Sequence, residues 1–344
     1  MGNSKPNFAY IQELSQWLDL NPCLDFDARK NILYPLLDQI FCETDKFNIQ
    51  LQNGLNFEFL YRSNIAKEIL LRDLQIPNHI WEPMTTRSVE LAIRHRPGSV
   101  VVGGAYFGDH ALIAAHELRE SKSPGLVICV EPNHEQRAIL EDNATLNNLS
   151  TSILSLDSVL WSSSGLKFSL AASDSHAAVI SDEKAQYLSQ TIDAILAHQN
   201  ISDVSLILID IEGSEEMALR GASSVLSAPP DRAPIIISEI HKNYVDWSAG
   251  LAETSIVQCL LDYDYSVFAL RDSQSNWSLG LNVPEIIPLD RVYLEGPPHG
   301  FNLIAAKDTS FFEVNNFRIV HDVSPKYLRH RDPALHLPLT QCLD

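Results

Sequence analysis

The sequence predicts an α/β fold with a Rossmann-like, mostly parallel sheet, an antiparallel last strand, and an N-terminal cap of helices and one hairpin. Three observations carry this. From residue 99 onward short apolar runs alternate with segments of helical period, the pattern of a parallel sheet covered on both faces. The first run, Val100-Val101-Val102, enters a glycine-rich turn, Gly103-Gly104-Ala105-Tyr106-Phe107-Gly108. The second, Leu126 to Val130, ends on the carboxylate of Glu131.

Taken in order, residues 8 to 43 read as helices, with Ile11, Leu14, Trp17 and Leu18 spaced for one apolar face. Residues 47 to 59 alternate on both sides of Asn53-Gly54. A two-residue turn would set apolar positions opposite polar ones. A three-residue loop with Gly54 at positive φ pairs Leu51 with Leu55 and Ile49 with Phe57. Strands are expected at 99–103, 126–131, 151–156, 204–210, 234–240, 264–270 and 301–306, and helices at 108–120, 133–147, 192–199, 214–227 and 252–262. Between the last two strands residues 271–300 lack a helical period and are rich in Pro, Gly and Asn, so they read as a loop and the final strand as antiparallel. The domain reading is an accessory α+β cap over 1–80, a nucleoside-binding domain over 81–310, and a C-terminal extension over 311–344.

With 344 residues, 45% of them hydrophobic, the chain can bury a substantial core. Acids outnumber Lys and Arg by 44 to 25, a net charge of −19, which repels phosphate backbones and anionic membranes. Neither nucleic acid nor a membrane is therefore expected as a partner. The basic run Lys326 to Arg331 reads as a solvated face. Cysteines 23, 42, 129, 259 and 342 are odd in number and form no CxxC pair. Free thiols in a reducing compartment follow, and with no hydrophobic signal core a cytoplasmic enzyme is expected.

The turn selects among nucleoside ligands. A dinucleotide site wants G-x-G-x-x-G so that the middle glycine lets the backbone touch the pyrophosphate. Here the frame is Gly103-x-Ala105-x-x-Gly108 with Tyr106 and Phe107 at the tip. A methyl and two aromatic rings crowd a pyrophosphate and suit a ligand without one, such as S-adenosylmethionine (SAM). The plainer alternative is a tight strand-to-helix turn.

The ordered segments 100–108, Val130-Glu131-Pro132-Asn133, Asn143 to Asn148, Thr191-Ile192-Asp193, 208–215 and Ser238-Glu239-Ile240-His241 resemble the successive motifs of FkbM-family SAM-dependent methyltransferases. The resemblance spans roughly residues 81 to 241. It implies a class I methyltransferase fold, SAM as cofactor, and O-methylation of a small-molecule, sugar, peptide or natural-product acceptor. Trp81-Glu82-Pro83-Met84-Thr85 resembles the segment that closes over SAM, implicating Glu82 and Thr85. The family's first-strand Asp is Val102 here, so Asp109, Asp210 or Glu82 would take its place near the methionine moiety.

The cofactor set is thus Glu82, Thr85, Gly103, Gly104, Ala105, Tyr106, Gly108, Asp109, Glu131, Pro132, Asp157, Ser158 and Asp210. Glu131 would accept from two ribose hydroxyls; otherwise it is a helix-terminal acid in solvent. Asp157-Ser158 follows the third strand, against adenine or in an ordinary turn. Asp210 and Glu212 flank Ile211 at the end of an apolar strand, where open sheets bind ligands; helix capping explains Glu215 and Glu216 but not Asp210. Glu239 and His241 share a strand face, and a carboxylate can tune an imidazole as a base. Asp210, Glu239 and His241 are the catalytic candidates, with Glu212, His241 and His299 on the acceptor. His110, His116 and His134 read as structural, and no metal site is expected because no metal-ligand spacing occurs. The rival functions are an NAD-dependent oxidoreductase and a non-catalytic SAM-binding scaffold, the latter assembling with a partner or pairing two subunits through the cap.

Overall fold

The computed structural model describes residues 7–20, 29–71, 79–170, 179–181, 185, 187–274, 283–294 and 300–327. The N-terminal segment holds α1 (Phe8–Leu20), α2 (Tyr34–Leu37), the hairpin β1 (Lys46–Gln50) and β2 (Asn56–Leu60), and α3 (Asn64–Leu71). The hairpin has the anticipated register: Ile49 opposes Phe57, Leu51 N–H donates to the Leu55 carbonyl at 2.7 Å, and Gly54 sits at φ +86°. Ile11, Leu33, Leu37, Tyr61 and Leu71 give this segment a small core of its own.

The main layer begins with α4 (Pro83–His95), β3 (Ser99–Gly103), α5 (Asp109–Glu120), β4 (Val127–Val130), α6 (His134–Leu146) and β5 (Ile153–Leu156). A small four-stranded unit follows, comprising β6 (Val159–Leu160), β7 (Lys167–Leu170), β8 (Val179–Ser181) and β9 (Tyr187–Gln190). The chain returns through α7 (Ile192–His198), β10 (Val204–Ile209), α8 (Glu215–Arg220), α9 (Ser223–Leu226), β11 (Ile235–His241), α10 (Ser255–Leu261) and β12 (Ser266–Arg271). It closes with β13 (Glu285–Pro288), β14 (Gly300–Ala306), α11 (Ser310–Val314) and β15 (Arg318–Ile319).

The large sheet runs β15-β13-β12-β14-β11-β10-β3-β4-β5. From β11 to β5 every pairing is parallel, while β14 lies antiparallel to both β11 and β12, as anticipated. Successive strand residues face opposite sides. Val100, Val102, Leu206 and Leu208 join the core beneath α4 and α5, whereas Val101, Ile207, Ile209 and Ile236 join the one beneath α7 to α10. Phe57 and Phe59 of the hairpin pack on Phe107 of the glycine turn, so one tip aromatic serves the cap.

Several expectations change. The single helix at 214–227 is two, α8 and α9, and the helix at 252–262 is a 3-10 turn, Leu251–Glu253, followed by α10. The loop at 271–300 contains β13, and the stretch beyond 311 contributes β15 at the sheet edge. The basic run is not a solvated face at its start, because Lys326 is only 2% exposed. Of the five cysteines, 42, 129 and 259 are free thiols, and the other two lie outside the described residues. No helix among the described residues is long and apolar enough to cross a membrane.

Candidate active site

A cleft open to solvent lies at the C-terminal ends of β3, β4 and β10. Of the anticipated residues, Gly104, Tyr106, Asp109, Glu131, Pro132, Ser158, Asp210 and Glu212 line it. Trp81, His110, Asn133, Gln136, Leu160 and Leu170 also line it without having been singled out as ligand contacts. In the sequence His110 reads as structural because it lies on a helix. The available signal was its place in the first turn after the glycines, where side chains face a ligand held by that turn.

Glu131 is 8% exposed. One carboxylate oxygen accepts from Tyr106 N–H at 3.0 Å and the other from Asn133 N–H at 2.8 Å. Each oxygen retains a second lone pair, which suits a vicinal diol. Burial pushes the carboxyl up to about 7 despite these two donors. Ser158 Oγ is buried with no hydrogen-bond partner among the described residues, an orphan that a bound heterocycle would satisfy. Asp157, one residue earlier, points elsewhere: it is exposed and accepts from Arg137 Nη2 at 3.1 Å.

The glycines act mainly through packing. A Cβ on Gly104, at φ +74°, would lie 1.8 Å from the Asp210 carbonyl oxygen, so the exit of β10 requires this glycine. Gly103, Ala105 and Gly108 do not line the cleft, and the Ala105 methyl belongs to the core. Glu82, Tyr106 and Glu212 are non-glycine residues in the left-handed region, at φ 44°, 46° and 55°. Such conformations cost about 1–3 kcal/mol each and gather at functional sites.

Beside Val102, the expected substitute for a first-strand carboxylate is a cluster. His110 Nε2 lies 3.8 Å from Glu82 and 3.9 Å from Asp109. Burial opposes its charge, but these two acids outweigh burial and hold the imidazole at about 9. Glu82 and Thr85 sit behind the lining. Asn302 Nδ2 donates to both, at 2.7 and 2.9 Å, and the Thr85 and Met84 N–H groups donate to the Asp272 carboxylate.

At the far end of the cleft Asp210 is exposed to the cavity. Its carboxyl is pushed well up by desolvation, then by Glu82, Glu212, Glu215 and Asp109. Glu212 accepts from Tyr244 Oη at 3.0 Å. Glu215 closes the loop after β10, accepting from Ile211 and Gly213 N–H. Asp210, Glu215 and Glu239 each bring a carboxylate oxygen within 4.8 Å of the others, a grouping with no signature in the linear spacing.

Glu239 and His241 lie on β11 above Gly300, where a Cβ would come within 2.8 Å of Glu239 Oε1 and 2.3 Å of His241 Cδ2. Neither is on the wall of the cleft among the described residues. Asn243 N–H donates to His241 Nδ1 at 3.0 Å, which leaves the neutral ring's proton on Nε2. In that tautomer the ring presents a donor to an acceptor rather than a free base. His299 lies outside the described residues.

Residues 103–267 match the family model described as the methyltransferase FkbM domain. No curated protein matches the chain. Among solved structures, the chain is similar to a SAM-dependent methyltransferase from Agrobacterium tumefaciens, at 11% identity, 78% coverage of this chain, 72% of that chain and a TM-score of 0.38. It is also similar to an O-methyltransferase from Bacillus cereus in complex with SAH, at 12% identity, 88% and 100% coverage and a TM-score of 0.35. A precorrin-6y C5,15-methyltransferase from Geobacter metallireducens matches at 12% identity, with 64% and 86% coverage and a TM-score of 0.35.

Proposed function

We propose, from the match of residues 103–267 to the methyltransferase FkbM domain, that this chain is a SAM-dependent methyltransferase that methylates a hydroxyl oxygen of a small-molecule, sugar or peptide acceptor. The observation that carries this reading is the placement of Asp210 and Glu239 at the ends of adjacent parallel strands, their carboxylate oxygens within 4.8 Å of each other and of Glu215. A carboxylate within hydrogen-bond reach of the acceptor hydroxyl can take its proton as the methyl transfers.

SAM supplies an electrophilic methyl on a sulfonium. The cleft's own groups fit the rest of that molecule. Glu131 offers two lone pairs to a ribose diol, and Ser158 Oγ offers a hydrogen bond to adenine. Asp109 and His110 offer a carboxyl and an imidazole to the ammonium and carboxylate of the amino-acid end. Asp210 and Glu212 stand at the mouth beyond. Displacement at the methyl requires the acceptor oxygen held in line, so positioning supplies much of the rate. Asp210, on the wall of the cleft, takes the hydroxyl proton at a carboxylate oxygen.

The test is methyl transfer from isotopically labelled SAM to matched acceptor panels bearing hydroxyl, amine or carboxylate groups. Label in a hydroxyl-bearing acceptor, with equimolar SAH, is expected. Transfer confined to amines or carboxylates overturns the hydroxyl assignment. Binding of NAD in place of SAM overturns the whole reading.

A further inference from the structure

The N-terminal cap reaches the cleft through one side chain of α6. Asn143 is fully buried, and its amide bonds main-chain groups of two other segments. Its Oδ1 accepts from Glu58 N–H at 2.6 Å, and its Nδ2 donates to the Glu58 carbonyl at 2.9 Å and to the Phe107 carbonyl at 3.0 Å. One turn further along α6, Asn147 repeats half of this pattern. Its Oδ1 accepts from Asn56 N–H at 2.8 Å, and its Nδ2 donates to the Asn56 carbonyl at 2.6 Å. The two amides lie four apart on one helix face and meet alternate residues of β2. They serve the edge of β2 that β1 leaves open, as a neighbouring strand would. Asn147 directs its other donor within α6, to the Asn143 carbonyl at 2.8 Å, whereas Asn143 directs its other donor to the glycine turn.

That turn is one wall of the cleft. Tyr106, immediately before the carbonyl that Asn143 holds, lines the cleft and lies in the left-handed region at φ 46°. Its N–H donates to Glu131 Oε2 at 3.0 Å. A tyrosine does not favour positive φ, so its surroundings must hold it there. On the cap side those surroundings are the Asn143 amide and the rings of Phe57 and Phe59, whose centroids lie 6.5 and 6.4 Å from that of Phe107. The second donor to Glu131, Asn133 N–H, stands at the N-cap of α6, and Arg62 of the cap pairs with Glu135 in the first turn of that helix. Both donors that orient the carboxylate therefore sit on segments the cap grips.

We propose that Asn143 is a positioning residue for the cofactor: by tying β2 to the Phe107 carbonyl it holds Tyr106 N–H on Glu131, and so couples docking of the cap to binding of the ribose. The proposal rests on the reading of Glu131 as the ribose acid. Asn143 is not itself on the wall of the cleft among the described residues. Coupling is reciprocal, so a ligand on Glu131 tightens the cap by the factor by which the cap tightens the ligand.

Asn147 supplies the control. Asn143→Ala and Asn147→Ala each remove both bonds to one residue of β2, but only the first releases the turn. Calorimetric titration with SAH should show affinity about tenfold weaker in Asn143→Ala and the wild-type value in Asn147→Ala. Wild-type affinity in Asn143→Ala, or an equal loss in both variants, overturns the proposal. A second measurement needs no substitution and covers an Asn143→Ala protein too unstable to titrate. In the wild type, saturating SAH should slow hydrogen exchange of Glu58 N–H by about tenfold. Tyr61 N–H, bonded inside the cap to the Asp45 carbonyl at 2.9 Å, should keep its rate. No slowing at Glu58, or the same slowing at both amides, overturns the proposal. Unchanged SAH affinity in Glu131→Ala overturns instead the ribose reading on which it rests. A wild-type protein that binds no SAH overturns the methyltransferase reading, again a distinct result.

Discussion

At the scale of single residues, the cleft separates groups that bind from groups that do chemistry by how each is satisfied. Glu131 uses one lone pair of each oxygen on backbone N–H groups and leaves the others for ligand. Glu131→Ala should therefore weaken SAH binding by about 2–4 kcal/mol, the range for charged hydrogen bonds, with the fold retained. Calorimetry giving wild-type affinity would remove Glu131 from the ribose. The wild-type affinity should also decline as pH falls through about 7, where this carboxyl gains its proton. Asp210 shows the opposite economy, since its carboxyl gathers like charges instead of donors. Asp210→Asn should lower kcat by roughly 10²–10⁴, yet raise the melting temperature of the ligand-free protein at pH 8, because a repulsive charge is gone. A variant that loses activity and stability together would make Asp210 structural.

At the scale of elements, packing explains both what could be read in the chain and what could not. The hairpin was legible because strict alternation around Asn53-Gly54 admits one register that buries the same face on both strands. The parallel core strands were legible as continuous apolar runs. By contrast β13 and β15, four and two residues long, carry too few side chains to show a period, and their partners lie far away in sequence. His110 shares that difficulty, since its role depends on which acids the fold brings to it. Gly104 lines the cleft, but a Cβ there would strike the Asp210 carbonyl before it met a ligand. Gly104→Ala should accordingly fail to fold or melt well below wild type before any binding effect can be measured. A stable Gly104→Ala protein that simply binds SAH poorly would restore the ligand explanation. The cap is held differently. The Asn143 amide bonds Glu58 N–H, the Glu58 carbonyl and the Phe107 carbonyl, joining α6, β2 and the glycine turn. Asn143→Ala should destabilise by about 1–3 kcal/mol for each buried group left unpaired, seen as a lower denaturant midpoint. An unchanged midpoint would mean that water replaces the amide.

For the whole molecule, the buried ionisable groups fix the sign of the pH dependence of stability. Burial raises Glu131 and Asp272 to about 7, and Asp109, Glu215, Asp210 and Glu239 also move up. A carboxyl with a raised folded-state value binds its proton more tightly folded than unfolded. Its contribution is complete below the ordinary value near 4 and is lost as pH climbs through the folded one. His110 acts in the same direction, from 6.5 to about 9. Lys326 acts oppositely: its value falls from 10.5 to about 8, so its contribution is full above 10.5 and is lost as pH falls through 8. Below pH 8 the carboxyls and His110 therefore dominate, and a net charge of −19 adds repulsion on the same side. The ligand-free protein should melt at a higher temperature at pH 5.5 than at pH 8. Glu131 alone, moved from 4.5 to about 7, would account for about 2 kcal/mol of that difference. Glu131→Gln, which has no proton to lose, should show a visibly shallower fall over the same interval. Scanning calorimetry of the two proteins across pH 5.5 to 8 decides it, and parallel curves would show that Glu131 ionises in the folded state as easily as in the unfolded chain.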